Sequence, residues 1–183
     1  LLSKVYFKDS LGHTVHGFDC VHIEPESKTL WLGESKLYID PKRGLSELIK
    51  DIEEHFKIDY LDSEFSLIAK KIKHFDSIPE SDHWKMLLSN STKLKEKLND
   101  IYIPLLCTYS CELFNIYDDE ANESFIKEYE EKIRSLKSYF DEKNNHPLKS
   151  KLKIIVILFP VKCKKTLVKN LHKKLSLLQS LGD

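Results

Sequence analysis

The run Thr29-Leu-Trp-Leu-Gly-Glu-Ser-Lys-Leu-Tyr-Ile39 is dense in aromatic and branched side chains and stops at Asp40-Pro41. Such a run reads as a β-strand, and a strand needs partners for its backbone N–H and C=O groups. The chain offers one immediately upstream in His16-Gly-Phe-Asp-Cys-Val-His-Ile23, across Glu24-Pro-Glu-Ser-Lys28. The Pro and Ser of that linker are residues of a tight turn. A further run, Lys4-Val-Tyr-Phe-Lys8, precedes the turn signal Asp9-Ser-Leu-Gly12. Three strands therefore occupy the first part of the chain.

Downstream of Ile39 helices dominate. Pro41 is well placed near a helix start. From about Leu45 to Phe56 the residues Leu45, Leu48, Ile49, Ile52 and Phe56 fall on one stripe. Residues 57–100 read as helical and charged, with a break at Asn90-Ser91. Ile101 to Thr108 is apolar enough for a strand, and Pro104 points to an edge or an irregularity there. Glu123 to Asn144 is an amphipathic helix with Phe125, Tyr129, Ile133, Leu136 and Phe140 as its apolar stripe. Lys153 to Phe159 reads as a buried strand, and Thr166 to Leu181 as a closing helix.

This order predicts an α/β fold, a mixed central β-sheet flanked by helices. Its last strand–helix–strand unit should place the two strands parallel through a right-handed crossover. At 183 residues the chain reads as one domain, 1–183, with a helical insertion at about 57–100. It begins Leu1-Leu2-Ser3-Lys4 without Met, so upstream sequence is expected to be missing.

Composition narrows the class of protein. With 41% hydrophobic and 32% charged residues the chain is globular and soluble, not disordered. No apolar run approaches the roughly 20 residues that span a bilayer, so no membrane role is expected. Lys+Arg and Asp+Glu are both 29, so any nucleic-acid partner must be met by local clusters of charge. Cys20, Cys107, Cys111 and Cys163 form no CxxC pair and no zinc-spaced set. They read as reduced, mostly buried thiols of a cytoplasmic protein.

Glu34 and Lys36 are two apart on the aromatic strand and so share a face. If Glu26-Ser27 is the two-residue turn, 25 pairs with 28, 24 with 29, and 19 with 34. Asp19 then stands across from Glu34, their Cβ atoms about 5 Å apart. Opposed carboxylates on an apolar sheet face repel, and burying them is costly without a compensating cation. Lys36 supplies part of that compensation, and a hard divalent ion held by both carboxylates supplies more. Such a centre suits phosphodiester hydrolysis, with Lys36 orienting or deprotonating a water or stabilising charge on phosphorus. The same three residues can instead form a structural salt bridge, and a slip of one residue would separate the carboxylates. Gly33 would let a ligand or neighbouring backbone come close.

Asp19 and then Glu34-Ser35-Lys36 resemble the D…ExK signature of the PD-(D/E)XK nucleases, whose core is restriction-endonuclease-like. The strings His16-Gly-Phe-Asp-Cys-Val-His22 and Leu30-Trp-Leu-Gly-Glu-Ser-Lys-Leu-Tyr38 are similar to the HamA and AbpA nuclease subunits of Hachiman-type anti-phage defence. The resemblance is strongest over residues 15–56. It implies a cytoplasmic deoxyribonuclease dependent on Mg²⁺, with Mn²⁺ as an alternative, and a HamB-like helicase partner that holds it in check. Asp19 and Glu34 carry over as metal ligands, the Ser35 carbonyl as a further ligand, and Lys36 as the catalytic lysine. The first core helix and the QxxxY signature of the exonuclease-like branch are absent, so no exonuclease mode is implied.

Several other residues are candidates for a role. His13, His16 and His22 surround the second strand and read as structural, since Asp19 faces the other way. His55 suits the cation-favouring end of a helix, with a contact near the site as its minority reading. Tyr38 shares the face of Glu34 and Lys36 and is a candidate DNA contact, with an aromatic core or sheet contact as its main reading. Lys42 and Arg43 lead into a helix start where phosphate can bind, and Lys162, Lys164 and Lys165 offer a second phosphate-contacting patch. Two further functions stand beside the defence nuclease: a catalytically weak subunit that docks a helicase, and a stand-alone restriction or repair endonuclease. The latter is disfavoured because no DNA-reading module is evident.

Overall fold

The hairpin around Glu26-Ser27 forms in the expected register. Strands β2 (Cys20–Glu24) and β3 (Thr29–Tyr38) pair antiparallel, Cys20 opposite Gly33 and Glu24 opposite Thr29. Lys28 closes the turn with φ 54°, its N–H donating to the Pro25 carbonyl at 3.3 Å. The computed structural model describes residues 2–3, 17–71, 79–89 and 91–181. The expected strand Lys4–Lys8, the turn Asp9–Gly12, and His13 and His16 lie outside the described residues. Leu2–Ser3, as β1, pairs antiparallel with β2 on its outer side.

After β3 the chain turns into α1 (Pro41–His55), and its start shows why. The Asp40 side chain accepts a hydrogen bond from the Lys42 N–H at 3.0 Å, and Pro41 needs no donor in the first turn. The stripe Leu45, Leu48, Ile49, Ile52 is buried, and Phe56 continues it just past the helix. Each such side chain contributes about 1.5–3 kcal/mol on burial. The helix lies close on the sheet because Gly44 has no side chain: a Cβ there would stand 2.7 Å from the Cys107 Sγ.

Helices α2 (Ile58–Lys71), α3 (Ser81–Leu87) and α4 (Leu94–Lys97) fill the charged middle of the chain, with a 3-10 turn at Leu98–Asp100. One lysine there is fully buried. The Lys97 Nζ lies 3.6 Å from Asp62 and 4.3 Å from the Phe65 ring centroid, and desolvation pulls its pKa below the usual lysine range.

β4 (Ile101–Ser110) is parallel to β3, and β5 (Lys153–Val161) is parallel to β4, giving the order β1-β2-β3-β4-β5. The sheet is thus mixed and flanked by helices. Two expectations need adjustment, and of the edge or irregularity expected at Pro104 the structure has the irregularity. Pro104 does not mark an edge, because β4 lies between β3 and β5. The irregularity falls on the β3 side, where pairing lapses between Trp31 opposite Tyr102 and Glu34 opposite Leu105. Gly33 sits in that gap, and a Cβ on it would stand 3.4 Å from both the Pro104 Cγ and the Cys20 Cβ. Its missing side chain accommodates neighbours in the sheet.

The second correction concerns β5, which is an edge strand rather than a buried one. Ile154, Val156 and Leu158 lean on the core, whereas Ile155, Ile157 and Phe159 are exposed. An apolar run of strand length cannot by itself distinguish the two cases. Between β4 and β5 run α5 (Leu113–Ile116) and α6 (Glu123–Lys143), the latter capped by the Asn122 side chain and burying Phe125, Leu136 and Phe140. α6 packs on α1, with Ser46 Oγ and Tyr139 OH 2.8 Å apart. α7 (Lys164–Ser180) comes after β5 and buries none of its residues. Among the described residues no helix is long and apolar enough to cross a membrane.

Candidate active site

The alternation of β3 sets Glu34, Lys36 and Tyr38 in a row on the face beneath α1. Onto that face α1 brings Asp51 and His55, which are one turn apart and therefore neighbours on the helix surface. The Lys36 Nζ lies 2.6 Å from the Asp51 Oδ2, and the His55 Nδ1 lies 2.8 Å from the Glu34 Oε1. The second contact sets the imidazole of His55 against the buried Glu34 carboxylate. Glu34 itself is only 5% exposed.

Asp19 occupies the position before β2 that the register places across from Glu34. Its carboxylate turns along β3: the Ser35 N–H and the Ser35 hydroxyl both donate to the Asp19 Oδ2, each at 3.0 Å. The salt bridge anticipated among Asp19, Glu34 and Lys36 is therefore replaced. Lys36 answers to Asp51, Glu34 to His55, and Asp19 to Ser35. Sequence reasoning missed Asp51. The available signal was its position one turn before His55, beside the apolar stripe that seats α1 on β3.

The electrostatics are set by burial and neighbours. Desolvation raises the Glu34 pKa, His55 opposes it, and Asp19 and Asp51 add to it; the net direction is upward. For Lys36, desolvation lowers the pKa, but Asp51, then Glu34 and Asp19, more than restore it, so the ammonium is held above its usual range. The His55 ring is stacked on Tyr60 at 4.5 Å between centroids and meets the Phe18 edge at 5.3 Å. That packing fixes where the imidazole can stand against Glu34. Glu64 of α2, also buried, lies against Gly17, where a Cβ would stand 2.7 Å from its Oε2.

Among the described residues no three His, Cys, Asp or Glu groups converge to hold a metal by themselves. Mg²⁺ does not require such a cage, because it keeps waters and takes one or two carboxylates together with phosphate oxygens. Asp19 and Glu34 supply two carboxylates, near enough that Asp19 adds to the upward push on the Glu34 pKa. By donor chemistry these residues fit the ion.

The residues expected to meet DNA gather at the far end of β3. Tyr38 lies between the Arg43 guanidinium, 5.6 Å from its ring centroid, and the Lys164 Nζ, 5.4 Å away. Lys164 also donates to the Leu37 carbonyl at 2.6 Å. Lys42, in the first turn of α1, lies 5.4 Å over the Tyr139 ring. His22 is turned away from the site and lies 3.7 Å from Glu24.

Residues 1–175 match the sequence family HamA. The chain belongs to the HamA family. It is accordingly a Hachiman-type defence-associated protein. No curated protein and no solved structure matches the chain.

Proposed function

We propose that this HamA-family chain is a PD-(D/E)XK-type, Mg²⁺-dependent deoxyribonuclease of the cytoplasm. In this reading it is the effector of its defence system, and a helicase partner restrains it. The observation that carries the proposal is the buried Glu34, with Lys36 two residues on along the same strand face and Asp19 just before the neighbouring strand. A buried carboxylate with Asp19 and Asp51 nearby favours a cation beside it.

When bound, Mg²⁺ would supply polarisation of the scissile phosphate and acidification of a water. Asp19 and Glu34 would hold it, together with the carbonyl of Ser35. Ser35, by donating twice to Asp19, holds that carboxylate in place. Lys36 remains an ammonium beside Asp51, which suits it to stabilise negative charge developing on phosphorus rather than to remove a proton. Phe18, Tyr60 and the underside of α1 limit water around Glu34 and His55.

The test is cleavage of plasmid DNA with and without Mg²⁺. Glu34→Ala and Lys36→Ala are expected to abolish cleavage while circular dichroism and melting show a folded protein. Undiminished cleavage by either variant would overturn the assignment. Restraint by a helicase is tested by co-purification with a helicase encoded beside this chain, and by loss of cleavage on adding it. A second reading, a catalytically weak subunit that docks the helicase, draws on the engagement of Glu34 by His55 and Lys36 by Asp51. It predicts no Mg²⁺-dependent cleavage by the wild type under any condition in which DNA is bound.

A further inference from the structure

Beyond the row Glu34, Lys36, Tyr38, at the C-terminal ends of β3, β4 and β5, lies a cleft of about 770 Å³. Ser110, Asn115 and Cys163 line it, with Lys42 from α1 and Lys162 and Lys165 from the β5–α7 junction. Lys42 lies more than a hundred residues from the other two in sequence, yet the parallel strands bring all three to one rim. The acids of the cleft are already engaged: Asp40 caps α1, and Glu112 is paired with Lys132. Among the described residues Lys42, Lys162 and Lys165 meet no carboxylate at ion-pair distance. Both α1 and α7 also begin here, so their N-terminal dipole ends add to the positive field. From Val161 to Leu181 the chain has six lysines and no acid.

We propose that this cleft is a polynucleotide-backbone site, in which Lys42, Lys162 and Lys165 hold phosphates of the strand that passes the catalytic row. The inference rests on the nuclease reading and adds to it a direction and a second point of grip. The row itself is polar in the required sense. Its Glu34 end is crowded with carboxylates that repel a polyanion, whereas its Tyr38 end carries Arg43 and Lys164. Four residues of β3 separate Glu34 from Tyr38, about 13 Å at ~3.3 Å per residue. That span is long enough for more than one phosphate of a strand laid along the row. A strand entering over Tyr38 thus keeps its neutralised phosphates in the cleft while another of its phosphates reaches the acidic end.

The experiment measures binding without catalysis. A fluorescein-labelled single-stranded oligodeoxynucleotide is titrated with the full chain in EDTA, at several salt concentrations, and followed by anisotropy. Wild type is expected to bind with salt-dependent affinity. Lys162→Gln/Lys165→Gln should bind at least about tenfold more weakly, with a log–log salt slope shallower by about 1–2. Lys173→Gln/Lys174→Gln, farther along the same helix, should bind as wild type does. The oligonucleotide should also slow alkylation of Cys163 by iodoacetamide, because the thiol lines the cleft. The proposal is overturned by absent binding, by equal loss in both double variants, or by no loss in the first. Competition by ATP as effective as that by unlabelled oligonucleotide, at equal phosphate, would mark a mononucleotide cleft instead and also overturn it. Because no metal is present, loss of binding tests the cleft alone, and loss of cleavage in Glu34→Ala with binding intact tests the nuclease reading alone.

Discussion

Gly44→Ala should change stability in opposite directions depending on residue 107. In wild type the new methyl would stand 2.7 Å from the Cys107 Sγ, inside the shortest contact that real Cβ atoms make, and Cys107 is fully buried. Forcing extra volume into a packed site costs about 1–3 kcal/mol. Alanine in place of a helical glycine returns about 1 kcal/mol. The net effect is therefore a loss of roughly 0–2 kcal/mol, the difference of those terms. In a Cys107→Ala background the obstructing sulfur is gone. The helix preference then stands unopposed, and Gly44→Ala should stabilise by up to about 1 kcal/mol. The assay is urea denaturation followed by circular dichroism across the double-mutant cycle, which isolates the coupling between the two positions. A coupling below about 0.5 kcal/mol, the usual limit of additivity, would refute the claim that Gly44 seats α1 against β4. Because α1 carries Asp51 and His55, the single variant should also lower cleavage, and Cys107→Ala should restore it.

Glu34→Gln should melt higher than wild type at neutral pH while losing cleavage. Burial raises the Glu34 pKa in the folded state, so its ionised form costs stability that wild type recovers as pH falls through that folded pKa. The variant's advantage should shrink accordingly in a melting series run toward acid, and an advantage that grows toward acid would contradict it. Asp51→Asn, by removing the anion 2.6 Å from Lys36, should lower kcat with little change in KM, and Asp51→Glu should recover part of the loss; an equal fall from both would indicate a packing role only. Lys97→Met should stabilise by about 1–2 kcal/mol, since a desolvated ammonium held mainly by an exposed Asp62 is replaced by an apolar chain. The depressed Lys97 pKa means wild-type stability climbs as pH rises from that folded pKa toward 10.5. The variant should lack this climb in alkaline melting curves. Finally, Cys163 should be the fastest thiol to react with iodoacetamide by mass spectrometry. Hydrogen bonds from Thr166 hold its pKa below the usual range, whereas burial pushes Cys107 up to about 11.

The elements of this fold were largely legible because their signals are local. Asp40-Pro41 announces α1, the stripe from Leu45 to Phe56 fixes its buried face, and the Glu26-Ser27 turn sets the register of β2 on β3. That register was enough to bring Asp19 toward Glu34. It could not say where the carboxylate would point, because the Ser35 N–H left over at the end of the β2 ladder competes for it. Asp51 and His55 were harder still. Whether a polar residue beside an apolar stripe meets solvent or the polar row of β3 depends on how closely the helix approaches, and that distance is set by Gly44 and Cys107. The status of β5 as an edge depends on the absence of a strand beyond it among the described residues, which no property of Ile154–Phe159 encodes. Cys163 is exposed for a similar reason: it comes after the edge strand rather than an interior one.

Asp19, Glu34, Lys36, Asp51 and His55 all come from one hairpin and the helix directly after it. The proposed chemistry thus resides in a short continuous piece of chain, whereas Lys162 and Lys165 of the cleft reach it only through two parallel crossovers. The two parts can change independently. Insertions or losses among α3 and α4, or in the α5 region, would alter the surface that the protein shows a partner. They would leave the five residues on the hairpin and α1 in register with one another. A lineage of such proteins could diversify its surfaces by lengthening loops while the hairpin and α1 stay nearly constant in length.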